Sequence, residues 1–561
     1  YYLIDQGQPQ LEQAIQAQLP PIERLRRAAA RSPLAIHLGV IALLTMAVTA
    51  GLLRVAAGDG VPDWALALLA VVALLAASQM ATALANWLVT LLMTPQRLPR
   101  MDYARGLPPS MRTLVVVPSM LATPAGIDAL LEALEVRYLG NRDDNLHFAL
   151  LTDVVDADDE TTPDDEALVL RARDGILALN QRHAEPDTML GDRFHLLHRP
   201  RFWNAGERLW MGFERKRGKL SDLNALLRGH GEDRFACIVG DSRRLRDVRY
   251  VITLDADTLL PRDTARQLVG AMAHPLNRPR FDPRAQRVTG GYGILQPRMA
   301  ASLSAAPRSR YADMAGSEPG IDPYTRSVSD VYQDLFGEGS FIGKGIYDVD
   351  AFEQALDGRF PDNRILSHDL LEGCHARSGL LSDVDLFEEY PARYLADARR
   401  QHRWIRGDWQ IARWLLPNVP GPAGTRLHNP LSALSRWKLA DNLRRSLTAP
   451  ALVAMTLCGW RWLPYPAFWT ATVLALPMLP LLLVSVVDAL RRPDDVRWHR
   501  HLPGVGRNAR RSLERVLFRV ACLPFEAAYS LDAIVRTLWR MQVSHRGLLE
   551  WQIAGEPGAA A

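Results

Sequence analysis

Cysteine is scarce in this chain: Cys237, Cys374, Cys458 and Cys522 lie scattered among 561 residues with no CxxC spacing. That pattern excludes a structural zinc site of paired thiolates and fits a reduced compartment. An excess of one charge is also missing, since 66 basic residues face 62 acidic ones and leave a net +4. No global field argues for nucleic acid, and none is expected as a partner. An initiator Met and a signal peptide are lacking at the start, YYLIDQ, so the chain reads as a piece of something longer. No internal repeat is visible.

Long apolar runs are present instead, and basic residues cluster beside them. Residues 1–32 form a polar cytoplasmic segment that ends in Arg24, Arg26, Arg27 and Arg31. Two apolar segments follow within 33–93, each reaching the ~20 residues that cross a bilayer. The connector between them, AGDGVPD, holds acids and no Lys or Arg. The positive-inside rule therefore puts the arginines in the cytoplasm. Residues 431–445, with Trp437, Leu439 and Leu443 among Arg436, Lys438, Arg444 and Arg445, read as an interfacial helix. Two more transmembrane helices are expected in 446–490, with an aromatic belt at Trp460, Trp462, Tyr465 and Trp469. Residues 491–561 read as a basic cytoplasmic segment with an interfacial or membrane-embedded helix.

Between these flanks, 97–430 reads as one cytoplasmic α/β domain. Strand-like runs at 113–118, 145–152, 193–198 and 250–254 alternate with helical patterns. That alternation predicts a mostly parallel, doubly wound sheet. A helix is expected to open at Gly218-Lys219 and another at Pro261.

The stretch YVITLDADTLLPR organises the chain, because its apolar run stops abruptly at Asp255-Ala256-Asp257. A buried strand ending in acids delivers carboxylates to the sheet edge where α/β ligands bind. Two carboxylates one residue apart suit a hard divalent cation, which shares its oxygen ligands with phosphates. Asp-x-Asp arises roughly once or twice by chance in a chain this long. The copies at Asp156/Asp158, Asp348/Asp350 and Asp383/Asp385 lack the strand and read as structural.

Four other stretches bear chemistry. GEGSFIGKGIYDV (337–349) is a glycine-rich loop able to approach a sugar or phosphate, or a surface turn. SHDLLEG (367–373) places Asp369 and Glu372 on one face of a helix start, with Ser367 as a possible cap. RRQHRWIRGDWQ (399–410) mixes arginines that clamp diphosphate with tryptophans that stack on sugar; an amphipathic helix on anionic lipid would look the same. ERKRGKLSDLN (214–224) offers Lys219 to a pyrophosphate, or is a solvated basic face.

In that order, Asp153, Lys219, Asp255/Asp257, Asp369 and Arg403-Trp404 resemble the processive membrane glycosyltransferases of family 2. The longer motifs YLIDQGQPQLEQAI, LHRPRFWNAGERLWMGFERKRGKLSDLN, GEGSFIGKGIYDVDAF, ILSHDLLEG, RQHRWIRGDWQI and VSHRGLLEW resemble the transferase portion of cyclic β-1,2-glucan synthases, glycosyltransferase family 84. The chain departs from the general processive pattern twice. Ser367-His368-Asp369 stands where Thr-Glu-Asp is usual, and Arg400 holds the Gln position of Q-x-x-R-W, with Gln401 next to it.

The resemblance implies a GT-A (Rossmann-like) domain flanked by transmembrane and interfacial helices. It implies a multi-pass protein of the bacterial inner membrane with its catalytic domain in the cytoplasm. It implies an inverting transfer from UDP-glucose to a β-glucan acceptor that is possibly protein-attached, followed by carbohydrate-active domains that this sequence does not contain. Asp255 and Asp257 would hold Mg²⁺ or Mn²⁺. Asp369 would be the base, while Asp153, Lys219, Gln401 and Arg403 would bind donor and Trp404 the acceptor. The alternatives are a linear polysaccharide synthase of the same fold and a non-catalytic nucleotide-binding scaffold.

Overall fold

The computed structural model describes residues 10–11, 14–15, 31–57, 61–93, 97–184, 191–301, 309–316, 330–490 and 497–550. The expected basic run Arg24, Arg26 and Arg27 and the tip of the first connector lie outside these residues.

Alternating apolar residues build the central sheet. Its strands are β1 (Thr113–Leu121), β2 (Leu146–Val154), β3 (Phe194–His198), β4 (Cys237–Val239), β5 (Tyr250–Thr253), β6 (Ile294–Ala301), β7 (Gly345–Asp348) and β8 (Ser378–Glu388). They lie side by side as β8-β6-β7-β5-β1-β2-β3-β4. The pairs β5-β1, β1-β2, β2-β3 and β6-β8 are parallel. Both edges of β7 pair antiparallel, as does β4 on β3. Val115 and Val117 point to one face, and Leu114 and Val116 to the other, as the two-residue period of a strand requires.

Each face carries helices. On the first, helices α3 (Pro124–Gly140) and α4 (Asp165–Arg182) and the helix Thr264–Ala273 bury Ile127, Leu134, Ile176 and Leu268. On the second, α5 (Arg215–Leu227) buries Leu220, Leu223 and Leu227 beside Phe352. Thr123 caps α3 by accepting from Gly126 N at 3.1 Å, and Pro124 supplies its first turn.

Three expectations are corrected in this domain. The glycine-rich stretch 337–349 is not loop throughout, because Gly345–Asp348 enters the middle of the sheet as β7. Only glycine fits at 345, where φ is +147° and a Cβ would stand 2.4 Å from the Leu295 carbonyl. The helix after Pro261 starts at Thr264, because Asp263 sits in left-handed backbone at φ 59°. Helix α5 starts at Arg215, so Lys219 lies in its second turn rather than at its start.

The apolar flanks form a bundle. Helices α1 (Pro33–Ala57), α2 (Asp63–Leu92) and the segment Pro466–Val487 are the described stretches long and apolar enough to cross a membrane. The expected span at 446–463 is instead the helix Thr448–Arg461, of 14 residues. At 1.5 Å per residue it reaches about 21 Å, short of the ~30 Å hydrocarbon core. It packs through Leu452 and Met455 among Leu69, Ala73, Trp469 and Val473.

The expected interfacial helix is Ala433–Ser446, yet Lys438, Asp441 and Asn442 are buried in it, turned toward protein rather than lipid. A 42-residue helix, Trp498–Trp539, closes the bundle.

Candidate active site

Strand β5 ends against the open edge of the sheet, where Asp255 is half-exposed and Asp257 exposed. The tip is held from below by Arg137 of α3. Its guanidinium donates to the carbonyls of Ala256 and Thr258 at 2.8 Å each, and of Asp255 at 3.3 Å. Burial pushes the Arg137 pKa down to about 10, while Asp257 opposes the shift. The backbone is thus fixed and both carboxylates are left for other work.

Carboxylate oxygens of Asp255, Asp257 and Glu388, at the end of β8, lie within 4.8 Å of one another. Lysines balance part of that charge. Lys216 of α5 donates to Asp255 at 2.6 Å, and Lys344 approaches Asp255 at 3.2 Å while also pairing with Glu388. Burial disfavours ionisation of Asp255, but Lys216 and Lys344 overcome it and hold the carboxyl well below the usual range. Asp257 goes the other way: although the residue is exposed, protein packed around its carboxyl, then the charges of Glu388 and Asp255, push it up to about 6. A clustered trio of carboxylates, already drawing an ammonium between two of its members, has the oxygen chemistry a hard divalent cation takes.

Asp369 opens the helix Asp369–His375 on the far side of one glycine. Gly343 lends its carbonyl to Lys216 at 2.7 Å, and a Cβ on it would stand 2.8 Å from Asp369 Oδ1. The chain Asp255–Lys216–Gly343–Asp369 therefore brings the two acidic motifs to one place. Burial raises the Asp369 pKa; Glu372 and Asp255 add to the shift, and His368 and Lys216 oppose it. The expected cap at Ser367 is not made, since His368 holds the cap position and no side chain caps the helix.

Helix Tyr394–Gln410 carries the arginine–tryptophan motif. Burial and Arg400 lower the Arg403 pKa, and the Asp255 charge opposes them, so Arg403 lies within the field of the Asp-Ala-Asp tip. Arg400 covers the Trp404 ring at 4.8 Å. Gln401 is occupied elsewhere: it donates to Asp397 at 2.9 Å and accepts from Tyr529 at 2.7 Å.

Asp153 and Lys219 meet each other at 3.2 Å. Arg199 adds two bonds to Asp153, at 2.9 and 3.0 Å, and Lys219 also donates to the Ser119 carbonyl. Burial brings the Lys219 pKa down to about 8, against the pull of Asp153. The ammoniums beside Asp255 belong to Lys344 and to Lys216, the latter about one turn earlier in α5 than the lysine the sequence pointed to. The other Asp-x-Asp copies are structural: Asp348 caps a helix through Ala351 N at 3.1 Å, Asp156 pairs with Arg215 at 2.6 Å, and Asp383 with Arg100.

No family model matches the chain. Cyclic β-(1,2)-glucan synthase NdvB of Rhizobium meliloti (strain 1021) is 42% identical to it over 503 residues, 89% of this chain. The chain is related to the cyclic β-glucan synthases. It spans 17% of that relative's length. The mannosyltransferase PcManGT from Pyrobaculum calidifontis, solved in complex with GDP-Man and Mn²⁺, matches 85% of this chain and all of its own. Its identity is 16% and its TM-score 0.41, too loose a likeness to define the fold.

In this synthase relative, four residues of the site escaped sequence reasoning: Arg137, Lys216, Lys344 and Glu388. Glu388 had a legible signal, because LLSDVDLFEE alternates apolar and polar residues before its acids; the Asp383/Asp385 copy, expected to lack a strand, lies inside β8, and Asp348 ends β7. Lys216 needed the true start of α5. Arg137 and Lys344 act through contacts distant in sequence, which no local pattern encodes.

Proposed function

We propose that the chain is the transferase part of a β-1,2-glucan synthase. It moves glucose from UDP-glucose to the 2-hydroxyl of a growing glucan, with inversion, at the cytoplasmic face of a bacterial inner membrane. Kinship with NdvB supports the product class, and the apolar helices support the membrane. The observation that carries the reading is that Asp369 faces the Asp255/Asp257 tip across Gly343 and Lys216. The mixed sheet, with one antiparallel strand in its middle and another at its edge, is compatible with a GT-A domain.

Asp255, Asp257 and Glu388 would hold Mg²⁺ or Mn²⁺, which when bound neutralises the diphosphate and makes UDP a better leaving group. Asp369 takes the proton from the attacking hydroxyl as the anomeric carbon–phosphate oxygen bond breaks and UDP leaves with the electron pair. One displacement by one hydroxyl inverts the anomeric carbon. Lys216 and Arg403 offset the charge that develops on UDP. Trp404 lines the acceptor side. The buried Asp153–Lys219 pair forms the wall on which the nucleoside rests.

Replacing Asp369 by Asn tests the base directly. With UDP-glucose and an oligosaccharide acceptor, UDP release should fall by about 10²–10⁴-fold, the usual worth of a general base. Near-normal release in Asp369→Asn would reject the assignment.

A further inference from the structure

Among the described residues from 97 to 431, the exposed Phe, Tyr and Trp side chains all fall within twelve positions. They are Phe202, Trp203 and Phe213, with 46%, 51% and 41% of their surface open. Phe202 and Trp203 sit on a hairpin of Phe202–Asn204 against Leu209–Met211, in which Trp203 faces Trp210 across the strands, and Phe213 follows it. Alternation puts Phe202 on the face of the buried Asn204 and Met211, and the two tryptophans on the other face, where Trp203 is exposed and Trp210 half-buried. The rings lie 6.0 Å apart at 61°.

The hairpin is pinned beside the candidate site. Trp210 exchanges backbone hydrogen bonds with Ala157 at 2.8 and 3.0 Å, just past the end of β2. Lys216, the partner of Asp255, follows Phe213 by three residues.

We propose that Trp203 and Trp210 form a stacking ledge for pyranose units of the glucan as it leaves the transfer site. This rests on the transfer reading above, which supplies the glucan. Aromatic faces pack against the apolar C–H faces of sugar rings, and exposed aromatic clusters mark binding surfaces. A lipid headgroup would call for basic residues, yet 202–213 holds one Arg and one Glu.

The test uses the whole chain in detergent, with a linear β-1,2-glucooligosaccharide titrated by calorimetry in the absence of donor. Trp203→Ala/Trp210→Ala should weaken binding about tenfold, the scale of losing two stacked rings. Trp203→Tyr should keep the affinity, and UDP release without acceptor should be unchanged in both variants. Oligosaccharide binding untouched by the double substitution overturns the ledge, as does a wild-type chain that binds none. Untouched sugar binding with lost liposome binding also overturns it, and assigns the patch to lipid. A wild-type chain that binds the sugar with these losses but releases no UDP sinks the transfer reading and keeps the ledge.

Discussion

Between Lys216 and Asp369 there is no room for a side chain at position 343. Gly343 adopts φ +86°, and its missing Cβ leaves the Asp369 carboxylate where it is. Gly343→Ala must either push Asp369 away or pull its own carbonyl off Lys216. Misplacing a catalytic group by about 1 Å costs about 10²-fold. We therefore expect kcat to drop by about that factor while the melting temperature changes little; wild-type kcat in Gly343→Ala would contradict it. At this scale the sequence was partly legible. Asp255 and Asp257 stood out because an apolar strand run stops abruptly at them, and Asp369 because it shares a helix face with Glu372 and matches the resemblance. Lys219 was preferred to Lys216 because Gly218 looked like a helix start, whereas α5 begins at Arg215 behind the left-handed Glu214.

Elements hold these residues in place, and α3 does so most directly. Arg137 near its end, itself buried, binds three carbonyls of the loop after β5, that of the buried Thr258 among them. Arg137→Met leaves those acceptors unpaired. A charge-assisted hydrogen bond is worth about 1.5–3 kcal/mol. The variant should melt at lower temperature and bind Mn²⁺ more weakly; an unchanged melt would show that the clamp is ornamental. Helices and parallel strands were legible here because their apolar periods are strong, as in the Val115/Leu114 alternation of β1 and the Ile127/Leu134 stripe of α3. Strand β7 was not, because glycine and lysine outnumber β-branched residues around it, and only pairing with β5 and β6 makes it a strand. The short helix Thr448–Arg461 read as a span because composition alone does not reveal where a helix ends.

At the scale of the molecule, the bundle and the site are joined by polar contacts. From the helix Ala433–Ser446, Arg444 reaches Ser78 and Gln79 of α2 at 2.9 Å each. On the same helix, Lys438 donates to Glu338 at 2.9 Å and to the Gly339 carbonyl at 2.7 Å, in the stretch leading to Gly343. The long helix Trp498–Trp539 touches the arginine–tryptophan helix through Tyr529 on Gln401 and Asp532 on His402 at 2.8 Å. Such joints between distant segments leave no trace in local sequence patterns, so Gln401 read as a donor ligand although it serves this contact.

The proposed transfer would need a divalent ion at Asp255, Asp257 and Glu388, opposite Asp369. The direct measurement is UDP release from UDP-glucose by the purified chain, first in excess EDTA and then after Mg²⁺ or Mn²⁺ is restored. Release should vanish with EDTA and return with the metal. Turnover that persists in EDTA would contradict the account.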